Sequence, residues 1–175
     1  KNCWIKWDRC GRQLNDYRGD THRRGDFPLM ITPRHADSQN PEMATIGPYA
    51  EQIAAFDHLL ANESSVCRLV LGGIAKYFAA NWADYYRDDG ASEELIERVS
   101  THKGIGETLR LNRLSVHNKF RDNSAYIGCG FNCSWEEEHG VGILLHGSRI
   151  VDIAGEDVSF NPSSWGDSAV VEKDA

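Results

Sequence analysis

The residues best equipped for chemistry lie in one stretch, Cys129-Gly130-Phe131-Asn132-Cys133-Ser134-Trp135-Glu136-Glu137-Glu138-His139-Gly140-Val141-Gly142. Three carboxylates beside an imidazole could form an acid/base pair or the start of a metal site. Consecutive residues of an extended chain point to opposite sides, however, so they do not converge on one point unaided. A metal site built on Glu138 and His139 therefore needs a ligand from elsewhere, with His146, His117 and Asp157 as the available groups. The other reading is a connection between strands, in which Trp135 and His139 pack or hydrogen-bond and the glutamates stay in water. Nucleophile readings find less support. Cys129 and Cys133 have no evident basic neighbourhood to lower their pKa. The chain also lacks a Gly-x-Ser-x-Gly elbow, a Gly-Lys-Ser/Thr phosphate loop and a dinucleotide fingerprint. The expectation is a non-enzymatic chain with no catalytic residues and no cofactor.

Five cysteines, Cys3, Cys10, Cys67, Cys129 and Cys133, are an odd number in a chain large enough to build a core without bridges, and they read as reduced thiols. Cys3/Cys10 and Cys129/Cys133 could together make a four-thiolate zinc site, but neither pair has a zinc knuckle's two-residue spacer.

The elements that must position these groups follow from hydrophobic period. Residues 1–40 predict two short strands, Cys3–Trp7 and Phe27–Ile31, joined by a loop that holds two Arg-Gly-Asp triplets, at Arg18–Asp20 and Arg24–Asp26. Over 47–100 the period is helical. Gly47-Pro48 opens a helix whose apolar face is Tyr49, Ile53, Phe56 and Leu60. Ser64 or Ser65 caps a longer one carrying Val66, Leu69, Val70, Ile74, Phe78, Trp82 and Tyr85. These two predict an antiparallel helical hairpin, and Gly72-Gly73 predicts close approach of another backbone. Ser92, followed by Glu93 and Glu94, caps a short third helix to Val99.

From Glu107 the period changes to two. Leu109 and Leu111 fall out of phase with Leu114 and Val116, which predicts a bulge near Asn112-Arg113. The next strand puts Ala125, Ile127, Cys129, Phe131 and Cys133 on one face, with Tyr126, Gly128 and Gly130 on the other, where glycine leaves room for something to lie on the sheet. Gly147-Ser148 then predicts a type II′ hairpin, with Leu145 opposite Ile150 and Leu144 opposite Val151, central in the sheet. Residues 161–175 read as a polar tail with Trp165 its one anchor. Helices followed by strands give an α+β class. The expectation is a single domain over 1–175, a helical hairpin plus a short helix packed on a mostly antiparallel C-terminal sheet over 107–160.

Charge is unevenly placed, a net +4 over residues 1–36 and −11 over 37–175, for −7 in total. An acidic body disfavours nucleic acid, which needs a basic face. It suits a basic protein partner through steering, or simply keeps the chain soluble. No apolar stretch is long enough to span a bilayer and the N-terminus does not read as a secretory signal, so the expectation is a soluble cytoplasmic protein without membrane contact.

Four segments carry a resemblance. Ala125-Tyr126-Ile127-Gly128 and Cys133-Ser134-Trp135-Glu136-Glu137-Glu138-His139-Gly140-Val141-Gly142, followed by His146-Gly147 and Ile153-Ala154-Gly155-Glu156-Asp157, look like an uncharacterised bacterial domain family. Its signature is Cys-x-Trp-Asp/Glu-Asp/Glu-Glu-His-Gly-x-Gly, preceded by a helical hairpin. Such domains resemble immunity proteins, encoded beside secreted antibacterial toxins of the polymorphic or type VI kind. The resemblance implies a chain that binds a cognate toxin and covers its active site. Candidate contacts are Trp135 as aromatic anchor, with Glu136, Glu137, Asp152, Glu156 and Asp157. The rivals are a metal-dependent hydrolase using Glu138, His139 and a second histidine such as His146, and an adaptor docking through its basic N-terminal segment.

Overall fold

The computed structural model describes residues 29–31 and 48–161. The expected Cys3–Trp7 strand, the Arg-Gly-Asp triplets, the Cys3/Cys10 pair and the tail beyond residue 161 lie outside the described residues.

The element order is β1 (Leu29–Ile31), α1 (Ala50–Ala61), α2 (Glu63–Asn81), α3 (Ala83–Asp88), α4 (Glu93–Val99), α5 (His102–Thr108), β2 (Leu109–Arg121), β3 (Ser124–Cys133), β4 (Glu136–His146) and β5 (Arg149–Ala154), closed by a 3-10 turn at Glu156–Ser159. The strands form one sheet in the order β1-β2-β3-β4-β5. β1 runs parallel to β2 and every other pair is antiparallel. The chain is therefore α+β, with its helices ahead of its main strands.

The alternation along β3 sets the layers. Ala125, Ile127, Cys129, Phe131 and Cys133 join Leu109, Leu114 and Val116 of β2, Val141, Ile143 and Leu145 of β4 and Val66, Val70, Ile74 and Phe78 of α2 in one buried core. The bulge predicted near Asn112-Arg113 is present, as a register shift between Leu111 and Arg113 that returns Leu114 to the core face. Ser92 caps α4, its side chain accepting from the Leu95 N–H at 3.3 Å.

On the other face, the room left by glycine is taken by the chain's own 3-10 turn. A Cβ on Gly128 would overlap the Ser159 carbonyl, and one on Gly142 would lie 2.7 to 2.8 Å from the Gly155 and Glu156 carbonyls and Val158. Buried His117 holds the turn from beside it, its Nε2 3.0 Å from the Ser159 carbonyl oxygen.

Several expectations are corrected. α1 begins after Tyr49, so Pro48 precedes the cap and does not occupy the first helical turn. Its buried face is Gln52, Ala55 and Leu59, while Ile53 is 50% and Leu60 39% exposed. Gln52 explains the rotation. A second irregularity in β2, between Val116 and Phe120, breaks the ladder there. The Gln52 amide donates to the Val116 and His117 carbonyls at 3.2 and 3.1 Å while accepting from the Tyr49 N–H at 2.9 Å. Burying a satisfied amide there outweighs burying Ile53, because each buried carbonyl left unpaired costs about 1–3 kcal/mol.

The cap of α2 is Asn62, not Ser64 or Ser65, and Asn62 alone joins α1 to α2. α1 packs chiefly on β2 and β3, and α2 chiefly on β5 and α5. Gly73 is approached by the Ile150 and Ile153 side chains and Gly72 by His102, not by another backbone. The helical run extends to Thr108, so Glu107 is the end of a helix that the period had not shown.

At the last hairpin Leu145 does pair with Ile150, and Gly147 takes φ +56° as the turn requires. Leu144 pairs with Asp152, however, because a bulge makes Val151 the extra residue. Among the described residues β5 is an edge strand, not a central one.

Candidate functional site

Ser134 and Trp135 turn the chain from β3 into β4. Trp135 is 5% exposed, and its ring packs 5.5 Å from both Phe78 and Trp82 and 6.4 Å from Tyr77. The indole N–H donates to Thr108 Oγ1 at 3.1 Å. Such a residue belongs to the core and does not project to a partner as a free aromatic anchor. Glu136 folds over the turn, its Oε1 accepting from the Glu138 and His139 N–H groups at 3.1 and 2.9 Å. Gly140 has φ +64°, and a Cβ there would overlap the Phe131 carbonyl. The segment most suggestive of chemistry thus consists largely of groups that build a tight strand connection.

Glu137, Glu138 and His139 are exposed at this turn. His139 Nδ1 stands 3.4 Å from Glu136 Oε1, and its Nε2 3.9 Å from Glu138 Oε1. His146 is at the far end of β4, seven residues on, roughly 23 Å away at strand rise. Its Nε2 lies 2.8 Å from the Arg121 carbonyl and its ring 4.8 Å from Tyr126. Glu138, His139 and His146 are therefore not brought together. Among the described residues no three His, Cys, Asp or Glu side chains form a group able to hold a metal ion.

His117 is engaged with the 3-10 turn, and burial pushes its imidazole down to about pH 4, against a smaller upward effect of the Ser159 hydrogen bond. Burial also pushes the Cys129 thiol up to about 12 and the Cys133 thiol to about 11. Both are buried, as is Cys67, and at neutral pH Cys129 and Cys133 are neutral thiols.

The remaining contact candidates sit on β5 and the turn after it. Asp152 Oδ1 accepts from the Ile153 N–H at 2.8 Å. Glu156 Oε1 is 3.9 Å from Arg113 Nε, and the Arg113 guanidinium lies 4.3 Å over the Phe160 ring. Asp157 is exposed, its carbonyl accepting from the Phe160 and Asn161 N–H groups.

A concavity lies where α3, α4 and α5 meet the β3–β4 turn. Phe78, Tyr86, Leu95, Val99 and Trp135 line a hollow of about 190 Å³, with Arg98, Thr108 and Ser134 also on its wall. Thr108 and Ser134 also border a second hollow of about 270 Å³, lined by Glu107, Arg110, Asn132 and Cys133. Tyr86 Oη donates to the Ser134 carbonyl at 3.2 Å. Burial, followed by the charges of Cys133, Glu137 and Asp89, pushes the Tyr86 hydroxyl above its ordinary range. Carboxylates crowd the helices beside it: Asp84, Asp88, Asp89, Glu93, Glu94 and Glu97 are all exposed. Arg87 is tied to Asp84 and Glu93, which holds the Glu93 carboxyl below its ordinary range.

Tyr86 escaped the helical period because α2 stops at Asn81. Trp82 caps a new short helix with a changed phase, so Tyr86 turns inward against Phe78 while Tyr85, expected in the core, is 65% exposed. The aromatic run Phe78, Trp82, Tyr85, Tyr86 was the only signal available.

Among the described residues these features define an α+β domain whose helices cover one face of a five-stranded sheet and whose 3-10 turn at Glu156–Ser159 covers glycines of the other. The chain belongs to the DUF6985 family, a domain of unknown function, whose family model matches residues 39–160. No curated protein and no solved structure matches it.

Proposed function

We propose that this chain is an immunity protein, which binds a cognate secreted antibacterial toxin of the polymorphic or type VI kind in the cytoplasm and neutralises it by covering its active site or substrate path. The observation that carries the reading is the run of solvated carboxylates on α3 and α4, continued by Glu137 and Glu138 on the adjacent turn. With a net charge of −11 over residues 37–175, this surface suits a basic toxin such as a nuclease. Rim carboxylates of this kind mainly accelerate encounter and select a partner of opposite sign. The likeness of the Cys133–Gly142 segment to immunity proteins points the same way. The partner is a protein, with no nucleic acid, membrane or cofactor involved in the contact.

The test is expression of the toxin encoded beside this chain's gene, with and without the chain. Growth restored only by co-expression is the expected result. Equally poor growth in both cases sinks the proposal.

A further inference from the structure

We propose that the hollow over Phe78 and Trp135 is the docking point of the partner protein, and that it receives one apolar side chain from a segment whose neighbouring residues are Lys or Arg. This deepens the immunity reading and rests on it. Size decides the kind of occupant. At about 190 Å³ the hollow is below the roughly 300–1,000 Å³ of pockets that enclose a small molecule, and it suits a single inserted side chain. Its composition agrees. Phe78, Trp135, Leu95, Val99 and Tyr86 line it, together with Arg98, Thr108 and Ser134. Hot spots have this form, an apolar pocket ringed by groups that exclude water.

Charge decides what surrounds the anchor. Asp89 and Glu137 are close enough to act on the Tyr86 hydroxyl at the hollow's wall. Over residues 84–98 the exposed charges are Asp84, Asp88, Asp89, Glu93, Glu94 and Glu97, against Arg87, which Asp84 and Glu93 engage, and Arg98, which lines the hollow itself, so carboxylates still predominate. A basic segment around the anchor is complementary to that rim. The adjoining hollow, with Glu107, Arg110 and Asn132, offers both donors and acceptors and suits the segment's main chain.

Two measurements test the site. The first is an NMR titration of the isotope-labelled chain with a peptide carrying a central phenylalanine flanked by two lysines on each side. Saturable shifts at the Trp135 indole N–H and the Tyr86 and Ser134 amides are expected. They should be lost in Ser134→Trp, which fills the hollow from an exposed position, and lost when the peptide's lysines are replaced by glutamate. Absence of shifts, or shifts unchanged in Ser134→Trp, overturns the site.

The second compares variants against the neighbouring toxin. Ser134→Trp should weaken binding about thirtyfold or more, the size of a hot-spot loss. The double variant Asp89→Asn with Glu137→Gln, which leaves the hollow open, should slow association at least about twofold with little change in dissociation. Neutralisation by Ser134→Trp at wild-type potency overturns the site while leaving the immunity reading in place. Failure of the wild-type chain to neutralise removes the immunity reading instead, and the peptide titration still decides the hollow.

Discussion

At the scale of single residues, the polar groups that matter most are those buried with a defined task. His117 is neutral in the folded chain, its pKa lowered from 6.5 to about 4 by burial. Between those values the unfolded chain binds more protons than the folded one, so stability is fully present above about pH 6.5 and falls as pH drops toward 4. The loss is on the order of 3 kcal/mol at most. Urea midpoints measured from pH 7 to pH 4 should decline, and His117→Asn should flatten that part of the decline; an unaltered slope in the variant would assign the loss to other groups. Trp135 should tolerate substitution poorly. Trp135→Ala should cost about 3–5 kcal/mol and Trp135→Phe less, because phenylalanine keeps the ring packing on Phe78 and Trp82 but forfeits the bond to Thr108. Equal urea midpoints for Trp135→Ala and wild type would contradict its place in the core. Trp135 and Glu136 stood out in the sequence by residue type. Their roles were not legible there, because one depends on Thr108 and Phe78, distant in sequence, and the other on how the chain turns between β3 and β4.

At the scale of elements, period-two patterning located the β2 bulge and the core face of β3, because a one-residue slip would move a whole strand's side chains to the wrong face. The first helix misled for a physical reason. Its apolar stripe Ile53 and Leu60 is real, but the broken β2 ladder requires the Gln52 amide, and the helix is rotated to deliver it. No count of hydrophobic residues registers a carbonyl on a distant strand that a helix side chain must pair. The glycines of β3 were legible as room for a neighbour, though not as room for the chain's own last turn. They also predict a contrast. Gly128→Ala meets the Ser159 backbone, which cannot yield without displacing the turn, whereas Gly130→Ala meets Asn112 and Glu156 side chains at 3.0 Å. Gly128→Ala should therefore cost several-fold more in stability and speed hydrogen exchange at the Val158 and Phe160 amides. Matching losses in the two variants would contradict the docking of the 3-10 turn on β3.

At the scale of the whole molecule, charge and shape coincide at one end. The helices α3 and α4 carry most of the exposed carboxylates next to the aromatic hollow, and the β3–β4 turn adds Glu137. The acidic balance was plain in the sequence; its concentration beside a concavity was not, since the concavity arises where helix and strand elements far apart in the chain meet. The most direct measurement is growth of cells expressing the neighbouring toxin together with this chain. The expected result is rescue by the wild-type chain, with rescue lost in Ser134→Trp. Cells that die equally with and without the wild-type chain would contradict it.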